Sequence, residues 1–65
     1  MADHAIKRAV DGETIYVPFS LIGPDQDNTQ GFPSLESLQF WCRTFNLSYE
    51  AISHNDEMCY KIWKP

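Results

Sequence analysis

The chain has 65 residues, of which 43% are hydrophobic and 14% aromatic, and its nine acidic and five basic residues give a net charge of −4. This share of apolar residues excludes an intrinsically disordered chain, and the length predicts a single domain, residues 1–65, with little room for a buried active site. The negative charge opposes non-specific attraction to nucleic-acid phosphates and to anionic lipid.

The first third of the chain has the pattern of a β-hairpin. Residues 5–10 and 13–22 flank Asp11-Gly12, a dipeptide that suits a two-residue turn because both positions tolerate positive φ. In the second arm an apolar set alternates with a more polar set, which predicts a strand with one side on the core. The apolar set is Ile15, Val17, Phe19 and Leu21. Pro18 has no amide donor, so we expect this strand to lie at a sheet edge or to bend there.

Residues 23–33, GPDQDNTQGFP, form a long polar loop that contains one large apolar residue, Phe32. We expect Phe32 to fold back against the first turn of the following helix. Long loops in small domains are either functional or loose, and both alternatives stay open here. The loop and helix start also offer the one, three, five and twelve spacing of a calcium loop, at Asp25, Asp27, Thr29 and Glu36. Because Gln30 stands where such a loop needs glycine, we expect no calcium site.

Residues 34–46 have a clear helical period. Ser34 follows Pro33 and suits the cap position, and Glu36 places negative charge in the first turn, where the helix dipole favours it. One side of the predicted helix collects Leu35, Leu38, Trp41, Cys42 and Phe45. Phe40 falls about 160° from the centre of that apolar stripe. It is therefore either covered by a loop or terminus, or a contact residue for a partner.

Residues 47–53 and 58–64 predict a second hairpin around residues 54–57. With Asn55 and Asp56 in a two-residue turn, the register pairs Glu50 with Lys61, Tyr49 with Ile62 and Ala51 with Tyr60. This register predicts a charge pair on one side of the hairpin. The side predicted to face the helix carries Tyr49, Ala51, Met58, Tyr60 and Ile62, and the outer side carries Ile52, Cys59 and Trp63 beside Ser48, Glu50 and Lys61.

These elements predict an α+β fold in the order β-β-α-β-β, with a small antiparallel sheet of three to four strands packed on one helix. Cys42 and Cys59 form either one disulfide across the core or two buried thiols, and the second alternative favours a reducing, cytoplasmic setting. No apolar run is long enough to span a bilayer, which predicts a protein without a membrane partner.

The sequence offers no assembled catalytic or metal-binding chemistry. Cys42, Cys59, His4 and His54 lack the paired close spacing of zinc sites, and a cysteine–histidine pair needs a cleft that this chain has little material to build. We therefore expect no enzymatic activity, no cofactor and no metal.

Two binding hypotheses follow. The preferred one is a small acidic protein-binding module of the type found among bacterial and phage accessory proteins. It would inhibit or modulate a larger protein, and a nucleic-acid-binding protein is one such partner. Its expected contact residues are Phe40, Arg43, Ile52 and Trp63. The alternative is a single-stranded nucleic-acid-binding module whose aromatic and basic sheet face carries Lys7, Tyr16, Lys61 and Trp63. Self-association of a homodimer, instead of a monomer, is a third use for exposed apolar residues.

Overall fold

The computed structural model describes residues 5–25 and 31–65. Within these ranges the elements are α1 (Ile6–Val10), β1 (Ile15–Pro18), a 3-10 turn (Phe19–Leu21), α2 (Leu35–Thr44), β2 (Ser48–His54) and β3 (Glu57–Trp63). The strands form one antiparallel sheet in the order β1-β3-β2. The α+β class is therefore confirmed with three strands. The order β-β-α-β-β and a fourth strand are wrong, because helix α1 takes the place of the first predicted strand.

Helix α1 shows why the first hairpin prediction was wrong. Ile6 and Ala9 are three residues apart on one buried side of the helix, and the Lys7 ammonium lies 3.3 Å from an Asp11 carboxylate oxygen at the i,i+4 spacing. Only Gly12 adopts positive φ, at 107°, whereas a hairpin turn of the predicted kind needs two such residues.

The dipeptide Asp11-Gly12 ends the helix instead of closing a hairpin. The amide of Gly12 donates to the Ala9 carbonyl at 3.0 Å, and the amide of Glu13 donates to the Arg8 carbonyl at 2.9 Å. This pair of bonds is the Schellman motif, in which a residue of positive φ satisfies the last free carbonyls of a helix.

Strand β1 is shorter than predicted and lies at a sheet edge. Ile15 and Val17 are buried as expected, and the strand ends at Pro18, where the 3-10 turn begins. The predicted position of Pro18 at an edge or a bend is therefore confirmed. The alternation fails beyond that point: Phe19 is 42% exposed because the 3-10 turn breaks the strand period.

Helix α2 begins as the sequence predicts. The Ser34 hydroxyl accepts a hydrogen bond from the Ser37 amide at 3.1 Å. The buried stripe is narrower than predicted, since only Leu38 and Cys42 are fully buried, while Leu35 and Phe45 are exposed. The helix ends in a second Schellman motif, with Asn46 at φ 58° and the Leu47 amide donating to the Cys42 carbonyl at 2.8 Å.

The β2–β3 hairpin matches its prediction residue for residue. Its register includes the expected pairs Glu50–Lys61, Tyr49–Ile62 and Ala51–Tyr60. Asn55 and Asp56 have φ values of 56° and 62°, as a tight two-residue turn of this hand requires. The register of this part of the sheet is therefore confirmed.

The core lies between the two helices and one face of the sheet, called here the inner face. Phe32 is fully buried in it. Two hydrogen bonds of 2.9 Å close the neck of the preceding loop: the Phe32 amide donates to the Leu21 carbonyl, and the Phe32 carbonyl accepts from the Gly23 amide. The buried cluster consists of Ile6, Ala9, Ile15, Val17, Phe32, Leu38, Cys42, Leu47 and Ile62. Residues 26–30 of the predicted loop lie outside the described residues, as do Asp27, Thr29 and His4 of the metal spacings considered above.

Candidate protein-binding surface

Helices α1 and α2 leave part of the inner sheet face uncovered. Of the residues predicted to face the helix, Ile62 is fully buried and Tyr60 is half-buried, but Tyr49 and Met58 are 40% and 47% exposed. Ala51 is exposed as well, so the prediction that this whole set is covered by the helix is wrong. The uncovered part lies over β2 and over the half of β3 that is nearest the hairpin turn.

Aromatic rings from three elements meet on this uncovered area. Tyr60 lies 5.0 Å from the ring of Phe19 and 6.3 Å from the ring of Tyr49, measured between ring centroids. Beside them is an open depression of about 230 Å³, lined by Phe19, Ile22, Leu35 and Tyr60. We call the combined area the inner-face patch; it consists of Phe19, Ile22, Leu35, Tyr49, Met58 and Tyr60.

Acidic residues flank parts of the inner-face patch. Glu36 follows Leu35 on the first turn of α2, Asp56 lies in the hairpin turn two residues before Met58, and Asp25 is three residues beyond Ile22. Glu57, like Lys61, alternates to the outer face. The basic residues belong to other parts of the fold: α1, the end of α2, the opposite sheet face and the C-terminus. They are Lys7, Arg8, Arg43, Lys61 and Lys64. The patch is therefore an aromatic area with an acidic margin.

Helix α2 carries a second exposed aromatic group. Phe40 is 54% exposed, which confirms its predicted place on the outward side of the helix. Its ring meets Trp41 edge-on with centroids 6.1 Å apart, and Trp41 stacks on Phe45 at 5.7 Å. Arg43 is exposed on the same helix. Three adjacent rings thus extend the apolar surface of the helix beyond Phe40 itself.

The structure does not bring the four predicted contact residues together. Phe40 and Arg43 lie on α2, which packs on the inner face. Ile52 and Trp63 are half-buried on the outer face, because they alternate with Ala51 and Ile62, which point inward. Sequence reasoning missed the inner-face patch, although it placed Tyr49, Met58 and Tyr60 on one face. Alternation gives the side on which a residue lies, but not how far a helix extends over it.

The outer face places three of the four proposed nucleic-acid contacts close together. Tyr16 is the cross-strand neighbour of Lys61, whose ammonium lies 5.1 Å from the centre of the Trp63 ring. Lys7, predicted on a strand of this face, lies instead on α1 and pairs with Asp11. Lys7 does not lie on the sheet because residues 6–10 form a helix instead of a strand.

Rings also cover the middle of the outer face. Tyr16 stacks on His54 with centroids 4.1 Å apart and planes within 5° of parallel. In the register Tyr16 is level with Lys61 and His54 with Glu57, so the stack bridges the sheet above Cys59, which lies between them on β3. This explains why Cys59 is only 2% exposed on a face turned away from the core.

The described residues do not assemble a metal site or a reactive thiol. Among them no group of three or more His, Cys, Asp or Glu side chains is placed to hold a metal ion. Cys42 and Cys59 are free and buried, which confirms two buried thiols over a disulfide. Burial raises the pKa of the Cys42 thiol from 9.0 to about 11, so this thiol is protonated at neutral pH and is a poor nucleophile.

Within the described residues, no helix has both the length and the apolar character needed to cross a membrane. Comparison with known proteins finds no matching family model, no similar curated protein and no similar solved structure.

Proposed function

We propose that this chain is a non-enzymatic protein-binding module that docks on a larger protein with a basic surface and inhibits or modulates it. The observation that carries the proposal is the inner-face patch. Aromatic and apolar side chains stay exposed there, although burying them would add to a small core. Interfaces are enriched in aromatic residues and methionine at their centre, and the patch supplies Phe19, Tyr49, Met58 and Tyr60.

Charge supports a basic partner. Glu36 and Asp56 flank the patch, and the whole chain has a net charge of −4. A partner that presents apolar side chains flanked by lysine or arginine complements both features and associates faster at low salt. The two free buried thiols are compatible with a reducing compartment, and we propose the cytoplasm as the place of action.

The proposal is tested by capture of proteins from a cell lysate on immobilised chain, followed by mass spectrometry. We expect basic proteins that elute as salt is raised, because exposed charge pairs are screened. The double variant Tyr49→Ser with Met58→Ser should lose this capture, and Phe40→Ser, which changes the other exposed aromatic group, is the matched control. All three residues are exposed, so the fold should survive in both variants.

The outcomes separate the surfaces. Loss of capture only in the double variant supports the inner-face patch, and loss only in Phe40→Ser moves the docking site to α2. If no protein is captured specifically by the unchanged chain, the proposed function is wrong.

A second candidate function is single-stranded nucleic-acid binding, favoured by the proximity of Tyr16, Lys61 and Trp63 on the outer face. Two observations weigh against it. The rings of Tyr16 and His54 already stack on each other, and Glu50 is the cross-strand neighbour of Lys61. Salt-sensitive binding of labelled single-stranded DNA or RNA in fluorescence anisotropy, lost in Trp63→Ala, would establish this function in place of protein binding.

A further inference from the structure

Strand β2 has no buried residue. Two of its seven residues, Ser48 and Ile52, are half-buried, and the other five are exposed, including Tyr49 and Ala51. Among the strands of residues 5–25 and 31–65, in the order β1-β3-β2, it forms one edge of the sheet. The side chains of β2 alternate between the two faces, one of its edges pairs regularly with β3, and none of its residues is buried. Such a strand can receive a further strand along its other edge.

The free edge of β2 offers backbone groups at every second residue. In a two-residue hairpin the pair that flanks the turn, here His54–Glu57, exchanges backbone hydrogen bonds, and such pairs alternate with pairs that do not. The amides and carbonyls of Tyr49, Ala51 and Ser53 therefore point away from β3. The side chains of the same three residues lie on the inner face, beside the inner-face patch.

Natural sheets usually protect such an edge, and β2 has few of the usual devices. Edge strands are protected by charged side chains, above all lysine, and by proline, bulges or short length; the one carboxylate of β2 is that of Glu50. Strand β1, the opposite edge, is four residues long and ends at Pro18. Strand β2 has no proline or lysine, and its register with β3 runs without a bulge from Ser48 to His54.

Glu50 gives the chemistry of the segment that fits there. Its side chain lies on the outer face and is exposed, and it makes no salt bridge with the other described residues. The sequence predicted a charge pair with Lys61, and the register does place the two opposite each other. The Lys61 ammonium instead lies above the Trp63 ring, 5.1 Å from its centre. The Glu50 carboxylate is therefore available to a cation on the other side of β2.

We propose that β2 receives an extended segment of the partner protein as a fourth strand, in which apolar residues alternate with lysine or arginine. The apolar side chains lie on the inner face beside Tyr49 and Ala51, and the basic ones lie on the outer face beside Glu50. Backbone hydrogen bonds supply affinity in this mode and the alternating side chains supply specificity. This inference rests on the proposed function and names the part of the partner that is bound.

Charge also argues for a foreign segment over a second copy of this chain. Two copies of net charge −4 repel each other, and β2 itself carries Glu50 but no basic residue apart from His54. A basic and apolar strand meets the opposite charge along the same edge.

The direct test uses a fluorescein-labelled peptide of four Lys-Val repeats and measures its anisotropy with the full chain at low salt. Ala51→Pro removes one amide donor from the free edge and leaves the bonds between β2 and β3 in place, so we expect about tenfold weaker binding. Ala51→Thr keeps the donor and is the matched control, expected to bind within about twofold of the unchanged chain. Circular dichroism of each variant checks that the fold is retained.

A second arm leaves the protein unchanged, so that misfolding of the proline variant cannot decide the result. Two methylated peptides are made, one with N-methyl groups on all valine amides and one with them on all lysine amides. Only one of the two should lose binding, because only one of these sets of amides faces β2. Glu50→Lys should weaken binding about three- to tenfold. A peptide of four Glu-Val repeats should not bind.

Two results with the peptides would overturn the inference: no binding of the Lys-Val peptide, or equal binding of the two methylated peptides. A third would be a sedimentation mass of two chains that falls to the mass of one in Ala51→Pro, because this assigns the edge to a second copy. Capture of a basic protein that is lost in the patch variant but kept in Ala51→Pro would leave the proposed function standing and refute the strand addition alone.

Discussion

Gly31 lies at the neck of the long loop, where the backbone leaves no room for a side chain. A β-carbon built on Gly31 would collide with the carbonyl oxygen of Leu21, the same atom that accepts the Phe32 amide. The obstacle is backbone and cannot swing aside. Gly23, across the neck, has nothing within 4 Å of the equivalent position, and neither glycine needs positive φ.

We therefore expect Gly31→Ala to lower the free energy of unfolding by about 1–3 kcal/mol, since the neck must shift to admit a methyl group beside the buried Phe32. Gly23→Ala is the matched control and should change stability by less than about 0.5 kcal/mol. Urea denaturation followed by tryptophan fluorescence measures both. Equal midpoints for the two variants would show that the close approach of Gly31 to Leu21 does not limit stability.

The hairpin turn is the clearest case in which local chemistry specifies an element. Asn55 and Asp56 both hold positive φ, a conformation that asparagine and aspartate tolerate better than most residues but that glycine adopts freely. Asp56→Gly should stabilise the chain by about 0.5–1 kcal/mol, because the strain at the second turn position is removed. Asp56→Asn removes the same charge without removing the side chain. A shift of the urea midpoint that is no larger for glycine than for asparagine would assign the gain to charge.

The two turn dipeptides also show how far the sequence predicts the fold. Asn55-Asp56 and Asp11-Gly12 look alike as hairpin signals, yet only the first closes a hairpin. The second ends a helix, a role that needs one residue of positive φ instead of two. Ile6, Ala9 and Val10 do recur at helical spacing, but this spacing alone does not decide between helix and strand. In so short a segment, helix and strand periods fit the same residues almost equally well.

The extent of the candidate site could not be predicted, because it depends on how the helices pack on the sheet. Alternation correctly placed Tyr49, Met58 and Tyr60 on one face of the hairpin. In the packed structure Ile62 of that face is fully buried, Tyr60 is half-buried, and Tyr49 and Met58 stay exposed. Which of these residues is covered is a property of the packed elements, not of any one segment.

At the scale of the whole molecule, stability rests on a small core, and the proposed binding uses side chains that this core leaves exposed. A chain of 65 residues buries about 60% of the surface that its unfolded form exposes, so its margin of stability is narrow. Phe32 represents the core and Phe40 the surface: Phe32 is fully buried, and Phe40 is 54% exposed. The same substitution at these two positions should separate folding from docking.

We expect Phe32→Ala to lower the free energy of unfolding by about 3–5 kcal/mol, a loss comparable to the whole stability of so small a domain, because it removes a ring from the centre of the core. Phe40→Ala should change stability by less than about 0.5 kcal/mol, since its ring is largely in water already. Thermal melts followed by circular dichroism, with amide spectra by NMR at 25 °C, measure both. A dispersed native spectrum for Phe32→Ala together with a collapsed one for Phe40→Ala would reverse the assignment of core and surface on which the inner-face patch and the free edge of β2 depend.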